Sequence, residues 1–435
     1  MKNTNPIDVF NHIKEAYGRY YDSAFNIKYE KLLKERGELI NSPGVAAQDM
    51  LIESVLPYPA CVPIKEACKD AGLSDEVAPM LGKMLFGRAD VNLRQHQADA
   101  LICSIRGIEG KRNVVVTSGT GSGKTESFLL PVLARILNER IRAVPLSINP
   151  WWKKSWSSEK SWSGVRRREG EIKPGIRAMI LYPTNALVED QISRLRKAAI
   201  LSKETNGDKP SFYFGRYTGS TPGGTDTPPD ILNNDWQKKV EKEAKNILDI
   251  SKESASMRQE DIDLRMQFSD PFCGEMLSRW DMIESPPDIF ITNLSMLNIM
   301  LMRDSEEPIF KQTREWLDES PENVFTLVVD ELHSHRGSQG TEVALVVRNL
   351  LQRLNLSSDS KQLRCIGTSA SLSADGGDYL EQFFGVSKQT FNIIEGKPLS
   401  IFSKLPLKKD AIDDIKKVSE EAAGGLAKKY GLRHA

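Results

Sequence analysis

Residues Thr117 to Thr125 read TSGTGSGKT and follow the short apolar run NVVV. Glycines at 119, 121 and 123 leave the backbone free to fold round an anion. The amides of Gly119, Thr120, Gly121, Ser122 and Gly123, with the start of a following helix, can then cradle phosphate oxygens. Lys124 is placed to pair with the β- and γ-phosphates of a nucleoside triphosphate, and the Thr125 hydroxyl to ligate Mg2+. The general form of such a loop has glycine where Ser118 stands; this stretch fits the tighter A/S-x-T-G-x-G-K-T form. Pro131, inside the helix that follows, predicts a bend there.

A second stretch, VVDELH at 328–333, closes the apolar run VFTLVV with two adjacent carboxylates. Unpaired carboxylates are costly to bury. Alone, such a pair reads as a helix cap. About 200 residues after a phosphate loop, it reads as the other half of a hydrolytic site. Asp330 then holds Mg2+, usually through water, and Glu331 orients and deprotonates the attacking water. Lys124, Asp330 and Glu331 form the expected catalytic set, with Thr125 and Asp330 on the metal.

The elements that must position these residues have a consistent texture. From Asn113 onward short apolar runs recur: NVVV, AMILY, SFYF, DIFIT, FTLVV and LRCIG. Each closes on small or polar residues, and helix-like segments such as LVEDQISRLRKAA lie between several of them. Continuous apolar strands alternating with helices indicate an α/β fold with a parallel sheet covered on both faces. Ligands in such sheets bind beyond the carboxyl ends of the strands, where these runs turn polar. A helical N-terminal accessory region is expected over 1–90 and the nucleotide-binding lobe over 91–405. Insertions are expected at about 140–175 and 220–285, and a tail or linker over 406–435.

The chain has 435 residues, 40% of them hydrophobic, with 59 basic and 59 acidic side chains. Neutral net charge means that any nucleic-acid surface must be a local patch. No apolar run approaches the ~18 residues of a membrane span, and no secretory h-region opens the chain. Cysteines at 61, 68, 103, 273 and 365 are scattered and lack metal-site spacing. A reduced, cytoplasmic chain without a structural metal is the expectation.

The phosphate loop together with DELH resembles the DEAD/DEAH-box helicases of superfamily two. Other motifs of that family follow in order: LRQHQADAL (93–101), LYPTNALVEDQ (181–191), GRYTGS (215–220), PPDIFITNLSML (286–297) and GTSASL (367–372). The wording of DELHSHRGSQGTEVA and FGRYTGSTPGG is similar to large bacterial members, the branch holding MrfA-like repair helicases and Druantia- and DISARM-type phage-defence helicases. The resemblance implies a RecA-like lobe that hydrolyses ATP with Mg2+. It implies that Gln97 reads adenine, with Phe86 upstream as a candidate to stack on the ring. His333 fits DEAH, and Leu332 replaces the usual alanine. Ser369, Ala370 and Ser371, with His333, would couple the nucleotide state to nucleic acid. Pro183, Thr184 and Asn185, Arg216, Thr218 and Gly219, and Thr292 and Asn293 would face one strand of nucleic acid, probed through its backbone rather than its bases. His335 and Arg336 would set the geometry of the acidic loop. Family members have two such lobes, and the far-end cysteine cluster of the MrfA-like members has no counterpart here. The resemblance therefore implies an N-terminal part whose second lobe lies in a longer chain or a partner.

The stretch PWWKKSWSSEKSWSGVRRR (150–168) holds four of the seven tryptophans beside Lys153, Lys154, Arg166, Arg167 and Arg168. Interleaved aromatic and basic residues can stack bases and bind phosphates. Tryptophan is usually well buried, however, so the stretch reads at least as well as an insertion anchored by its rings, with the cations solvated. The function expected is that of a helicase or translocase, with DNA as its nucleic acid. A nucleotide-dependent switch or scaffold and an RNA helicase stay open beside it.

Overall fold

The computed structural model describes residues 6–42, 44–48, 57–119, 121–141, 143, 146–166, 172–207, 209–335, 337–370, 372 and 376–399. The chain divides into two compact units, Met1–Leu56 with Leu399–Ala435, and Pro57–Pro398. The first unit contributes helices α1 (Pro6–Ala24) and α2 (Glu30–Ile40). Arg36 ties them, with Nη2 2.6 Å from Asp22 Oδ1 and the guanidinium 5.7 Å from the Tyr21 ring centre. The tail expected at 406–435 lies outside the described residues.

The second unit opens with β1 (Ala60–Pro63), α3 (Ile64–Asp70), α4 (Val77–Phe86), β2 (Asn92–Arg94) and α5 (Gln95–Arg106). β1 pairs antiparallel with β2, so the boundary expected near residue 90 falls between two partnered strands. Then come β3 (Asn113–Thr117), α6 (Lys124–Arg140), β4 (Ala178–Tyr182), α7 (Asn185–Thr205) and β5 (Phe214–Tyr217). They are followed by α8 (Asn234–Ser256), α9 (Ile262–Arg265), β6 (Glu275–Met276), α10 (Arg279–Glu284), β7 (Ile289–Asn293) and α11 (Leu294–Met302). The unit closes with α12 (Glu307–Glu319), β8 (Phe325–Val329), α13 (Gly337–Arg353), β9 (Leu363–Ser369), α14 (Gly377–Phe384) and β10 (Phe391–Glu395). Pro131 lies inside α6, which runs on past it.

Eight strands form one sheet in the order β10-β3-β9-β8-β4-β7-β5-β6. Every pairing in it is parallel. This is the parallel α/β sheet expected from the run of apolar strands, and it is consistent with the RecA-like lobe that the resemblance implied. β3, β4 and β8 are buried at each position. Their side chains alternate between two cores, as a pleat with period two requires. Met179 and Leu181 enter one core with Phe290, Leu327 and Leu350, while Ile180 enters the other with Phe128, Leu133 and Ile192. Each such side chain contributes roughly 1.5–3 kcal/mol on burial. Because all eight strands point the same way, their carboxyl ends share one edge. β3, β9 and β8 bring the phosphate loop, the GTSAS stretch and the acidic box side by side. β4, β7 and β5 carry the remaining strand-end motifs along the same edge.

The described residues of both interruptions are packed structure. Trp151 is fully buried, Trp152 and Trp156 nearly so. The Trp151 ring meets Trp152, Trp156 and Trp162 edge-on, at 5.7–6.2 Å. Its Nε1 donates to Asp281 Oδ1 at 2.9 Å. The second interruption supplies α8, whose Val240, Ala244 and Ile247 join the core that holds these rings, and β6, the eighth strand. Arg166 is buried and donates to Pro286 O and Ile172 O. The rings of this stretch thus anchor it rather than offering faces for bases; Arg167 and Arg168 lie outside the described residues.

Candidate nucleotide site and strand-end surface

The phosphate loop leaves β3 and enters α6 through Gly121 and Gly123, whose φ angles of 74° and 75° lie in the left-handed region that glycine tolerates. At Gly123 a Cβ would stand 2.5 Å from Gln97 Nε2. Ser118, where the general motif has glycine, shares a 2.6 Å hydrogen bond with the Ser122 hydroxyl. Its own amide donates to Ser369 O on β9 at 3.2 Å. Thr120 lies outside the described residues.

Three side chains from the end of β2 and the first turn of α5 take three consecutive loop carbonyls. Arg94 Nη1 donates to Gly121 O at 2.9 Å and Gln97 Nε2 to Gly123 O at 3.2 Å. His96 Nε2 lies 2.9 Å from Ser122 O. Burial lowers the His96 pKa, so the ring is neutral with its proton on the nitrogen that meets the carbonyl. Gln97 also accepts the Arg94 amide at 3.0 Å through Oε1. Both ends of its carboxamide are engaged within the protein, and a bidentate contact to adenine competes with those bonds. Tyr58 Oη accepts the Gly119 amide at 3.2 Å, under the Arg94 guanidinium. Sequence reasoning missed Arg94, His96 and Tyr58; the cluster of donors in LRQHQ is the one local hint of the first two. Phe86, Arg94, Gln97, Lys124, Thr125 and Glu331 line a cavity of about 550 Å3, within the ~300–1,000 Å3 typical of small-molecule sites.

Across β9, the end of β8 presents the acids. Lys124 Nζ lies 3.5 Å from Glu331 Oε1. His333 Nδ1 lies 3.1 Å from the other oxygen of Glu331. Glu331 has φ 53°, a sparsely populated backbone region for a residue with a side chain. Its amide donates to Asp330 Oδ1 at 3.0 Å and to Thr368 Oγ1 at 3.2 Å. The Thr368 hydroxyl donates to the same Asp330 oxygen, a partner that nothing in the local sequence announced. Asp330 is 7% exposed, and burial raises its pKa. Its Oδ2 has no hydrogen bond among the described residues. A buried carboxylate with one oxygen unpaired, next in sequence to the Glu331 that lines the cavity together with half-buried Thr125, fits a divalent cation.

The rest of the acidic loop is held from behind. Leu332 is fully buried and fills the space over Gly367 on β9, leaving no room there for a Cβ. Tyr379 Oη donates to Leu332 O at 3.1 Å and to His335 O at 2.8 Å. His335 is buried and stacks on Phe383. Ser369 is buried and Ala370 exposed, while Arg336 and Ser371 lie outside the described residues.

At the other half of the edge the expected strand-facing residues divide. Thr184, Asn185 and Gly219 are exposed; Pro183, Asn293 and Arg216 are half-buried. Arg216 pairs with Glu189. Asn293 Nδ2 donates to Asn185 Oδ1 at 2.6 Å, and its own Oδ1 caps α11 at Met296 N. Thr292 and Thr218 are buried and face inward. The Thr292 hydroxyl donates to Tyr217 O at 2.6 Å because β5 and β7 pair in register there. Arg279, from the second interruption, donates to Thr218 O at 2.7 Å with its guanidinium over the Tyr217 ring.

Residues 94–211 match the DEAD/DEAH box helicase family. The chain is 32% identical over 434 residues to Druantia protein DruE of Escherichia coli (strain UMEA 4076-1), an alignment covering 89% of this chain and 22% of that protein. It therefore spans about a fifth of the length of that relative. Among solved structures, the DUF1998 helicase MrfA bound to DNA aligns at TM-score 0.43 and 18% identity, over 90% of this chain and 40% of that one. MrfA bound to DNA and AMPPNP aligns at TM-score 0.41 and 19% identity, over 80% and 34%. The chain resembles the DEAD/DEAH-box helicases of superfamily two.

Proposed function

We propose that this chain, with its DEAD/DEAH box helicase region at 94–211, is the ATP-binding lobe of an ATP-dependent DNA helicase or translocase. One observation carries the reading: Lys124 and Glu331, 207 positions apart in sequence, lie 3.5 Å apart at the mouth of a cavity floored by a glycine loop. A nucleoside triphosphate entering that cavity places its phosphates on the loop amides and on Lys124, which leaves Glu331 for them. Thr125 and Asp330 would hold Mg2+, which would supply positive charge to the transferring phosphoryl group. Glu331 takes the proton of the attacking water, oriented on its other oxygen by His333. Thr368 and Ser369 tie the acids and the loop to β9, whose exposed end leads through Ala370 to Ser371; that connection supports a coupling role. Thr184, Asn185, Gly219 and Asn293 offer small donors to backbone phosphates.

The similarity to a Druantia protein supports a place in phage defence, the setting that the sequence resemblance tied to that type, with DNA repair as the alternative. Its length supports a second RecA-like lobe, in a longer chain or a partner. That lobe would bring the arginines worth roughly 10³–10⁵ in rate in related phosphoryl-transfer enzymes. Five free thiols favour a reducing, cytoplasmic setting. Among the described residues no helix is long and apolar enough to cross a membrane.

The test is ATP turnover by the 435-residue chain with single-stranded DNA, with RNA and with neither. We expect slow turnover that DNA raises modestly, and loss of nucleotide binding in Lys124→Ala. Stimulation by RNA alone would reassign the substrate. Tight nucleotide binding with turnover indifferent to either would favour a nucleotide-dependent switch.

A further inference from the structure

The two insertions that a nucleotide-binding sheet does not need meet at a basic cavity of about 290 Å3. Lys153 comes from the tryptophan-rich insertion, and Arg258 and Phe272 from the second one. Lys203 and Lys209 flank the turn from α7 toward β5. No carboxylate lines this cavity among the described residues, although the chain as a whole is neutral. Lys153 Nζ lies 4.6 Å from the centre of the Phe272 ring and Lys203 Nζ 5.8 Å from it, so two ammonium groups share one aromatic ring. Phe272 is fixed in turn by the edge of Trp152. Lys203 is buried and has a partner of its own. Lys153, Lys209 and Arg258 are exposed, and none forms an ion pair among the described residues. Converging cations repel, and an anion between them relieves the repulsion.

The topology places this cavity away from the nucleotide site. α7 starts at the carboxyl end of β4 and runs back, so Lys203 and Lys209 lie at the amino-end edge of the sheet. Phe272 precedes the start of β6, on that same edge. We propose that this cavity is a second phosphate site, which grips the backbone of a nucleic-acid strand on the side of the lobe opposite the phosphate loop. The cavity is at the small end of the ~300–1,000 Å3 range of enclosing ligand pockets, and its cations are open to solvent. Such a site suits phosphates of a chain that passes by better than a whole small molecule. Phe272 and the alkyl stems of its lysines add an apolar shelf beside the phosphates.

The inference rests on the nucleic-acid part of the proposed function. Its test is the affinity of the nucleotide-free chain for a fluorescent single-stranded oligonucleotide, as a function of salt. The triple variant Lys153→Ala, Lys209→Ala, Arg258→Ala is compared with wild type and with Thr184→Ala, Asn185→Ala at the other edge. Each lost phosphate contact reduces the slope of log K against log salt by about 0.7, so the triple variant should bind more weakly with a slope shallower by about 2. Its ATP affinity should be unchanged. A folded triple variant with wild-type affinity and slope overturns the site while leaving the helicase reading intact. Wild-type chain that binds no oligonucleotide overturns both. Calorimetric titration with pyrophosphate is the second arm: a binding event lost in the triple variant while oligonucleotide affinity and slope stay at wild type would make the cavity a small-anion site instead. Should the triple variant unfold, the exposed single change Lys209→Gln carries the same comparison, with a slope change of about 0.7.

Discussion

Gln97 Nε2 donates to the carbonyl of Gly123 at 3.2 Å, closing the phosphate loop against the first turn of α5. The residue that the family resemblance assigns to adenine is therefore also a brace of the loop that meets phosphate. Gln97→Ala should weaken ATP and GTP alike. One or two hydrogen bonds of ~0.5–1.5 kcal/mol each correspond to roughly 2- to 150-fold in affinity. Equilibrium binding of both triphosphates checks this; a loss confined to ATP would return the residue to base recognition alone.

Glu331→Gln keeps the shape of the side chain and removes its basicity. Hydrolysis should fall by roughly 10²–10⁴. Nucleotide affinity should hold or rise, because Lys124 is released from a charged partner 3.5 Å away. Turnover and binding are measured on the same preparation, and unchanged turnover would remove the acid from the role given to it.

Trp151→Ala deletes a fully buried ring that three other tryptophans pack around. The expected cost is about 3–5 kcal/mol in chemical denaturation. Wild-type stability together with lost oligonucleotide binding would mean that the ring faces nucleic acid after all.

Asp281 is fully buried, and burial lifts its pKa from 3.8 to about 7, with Glu284 adding to the rise. The folded protein then holds a proton that the unfolded chain has released, so stability falls as pH rises from about 4 to about 7. Asp281→Asn keeps the oxygen that accepts from Trp151 and Val165 and cannot ionise. It should flatten that decline and gain on the order of a few kcal/mol at neutral pH. Asp288 works in a different window. Burial pushes it up, but Arg140, Arg177 and Arg166 pull it down to about 2, so its contribution is lost only as pH falls from about 3.8 toward 2. Thermal denaturation across pH 4–8 isolates the Asp281 effect; parallel curves for variant and wild type would contradict it.

What the sequence by itself determined is local chemistry. GSGKT and the acid pair after FTLVV were legible because glycine spacing, an apolar run and a change to polar residues all lie within about ten positions. The parallel α/β sheet was legible for the same reason, since strands buried on both faces must be continuously apolar.

Tertiary structure decided which distant groups meet. Strand order, which no local pattern encodes, puts β9 between β3 and β8 and so brings Thr368 onto both Asp330 and Glu331. The packing of α5 against the loop engages Gln97 and recruits Arg94 and His96. Register between β5 and β7 turns Thr292 inward, although its motif suggested exposure. The tryptophans of the first insertion could face solvent or core on sequence grounds. The second insertion settles it by covering them, because burying that much apolar surface outweighs any gain from leaving the rings in water.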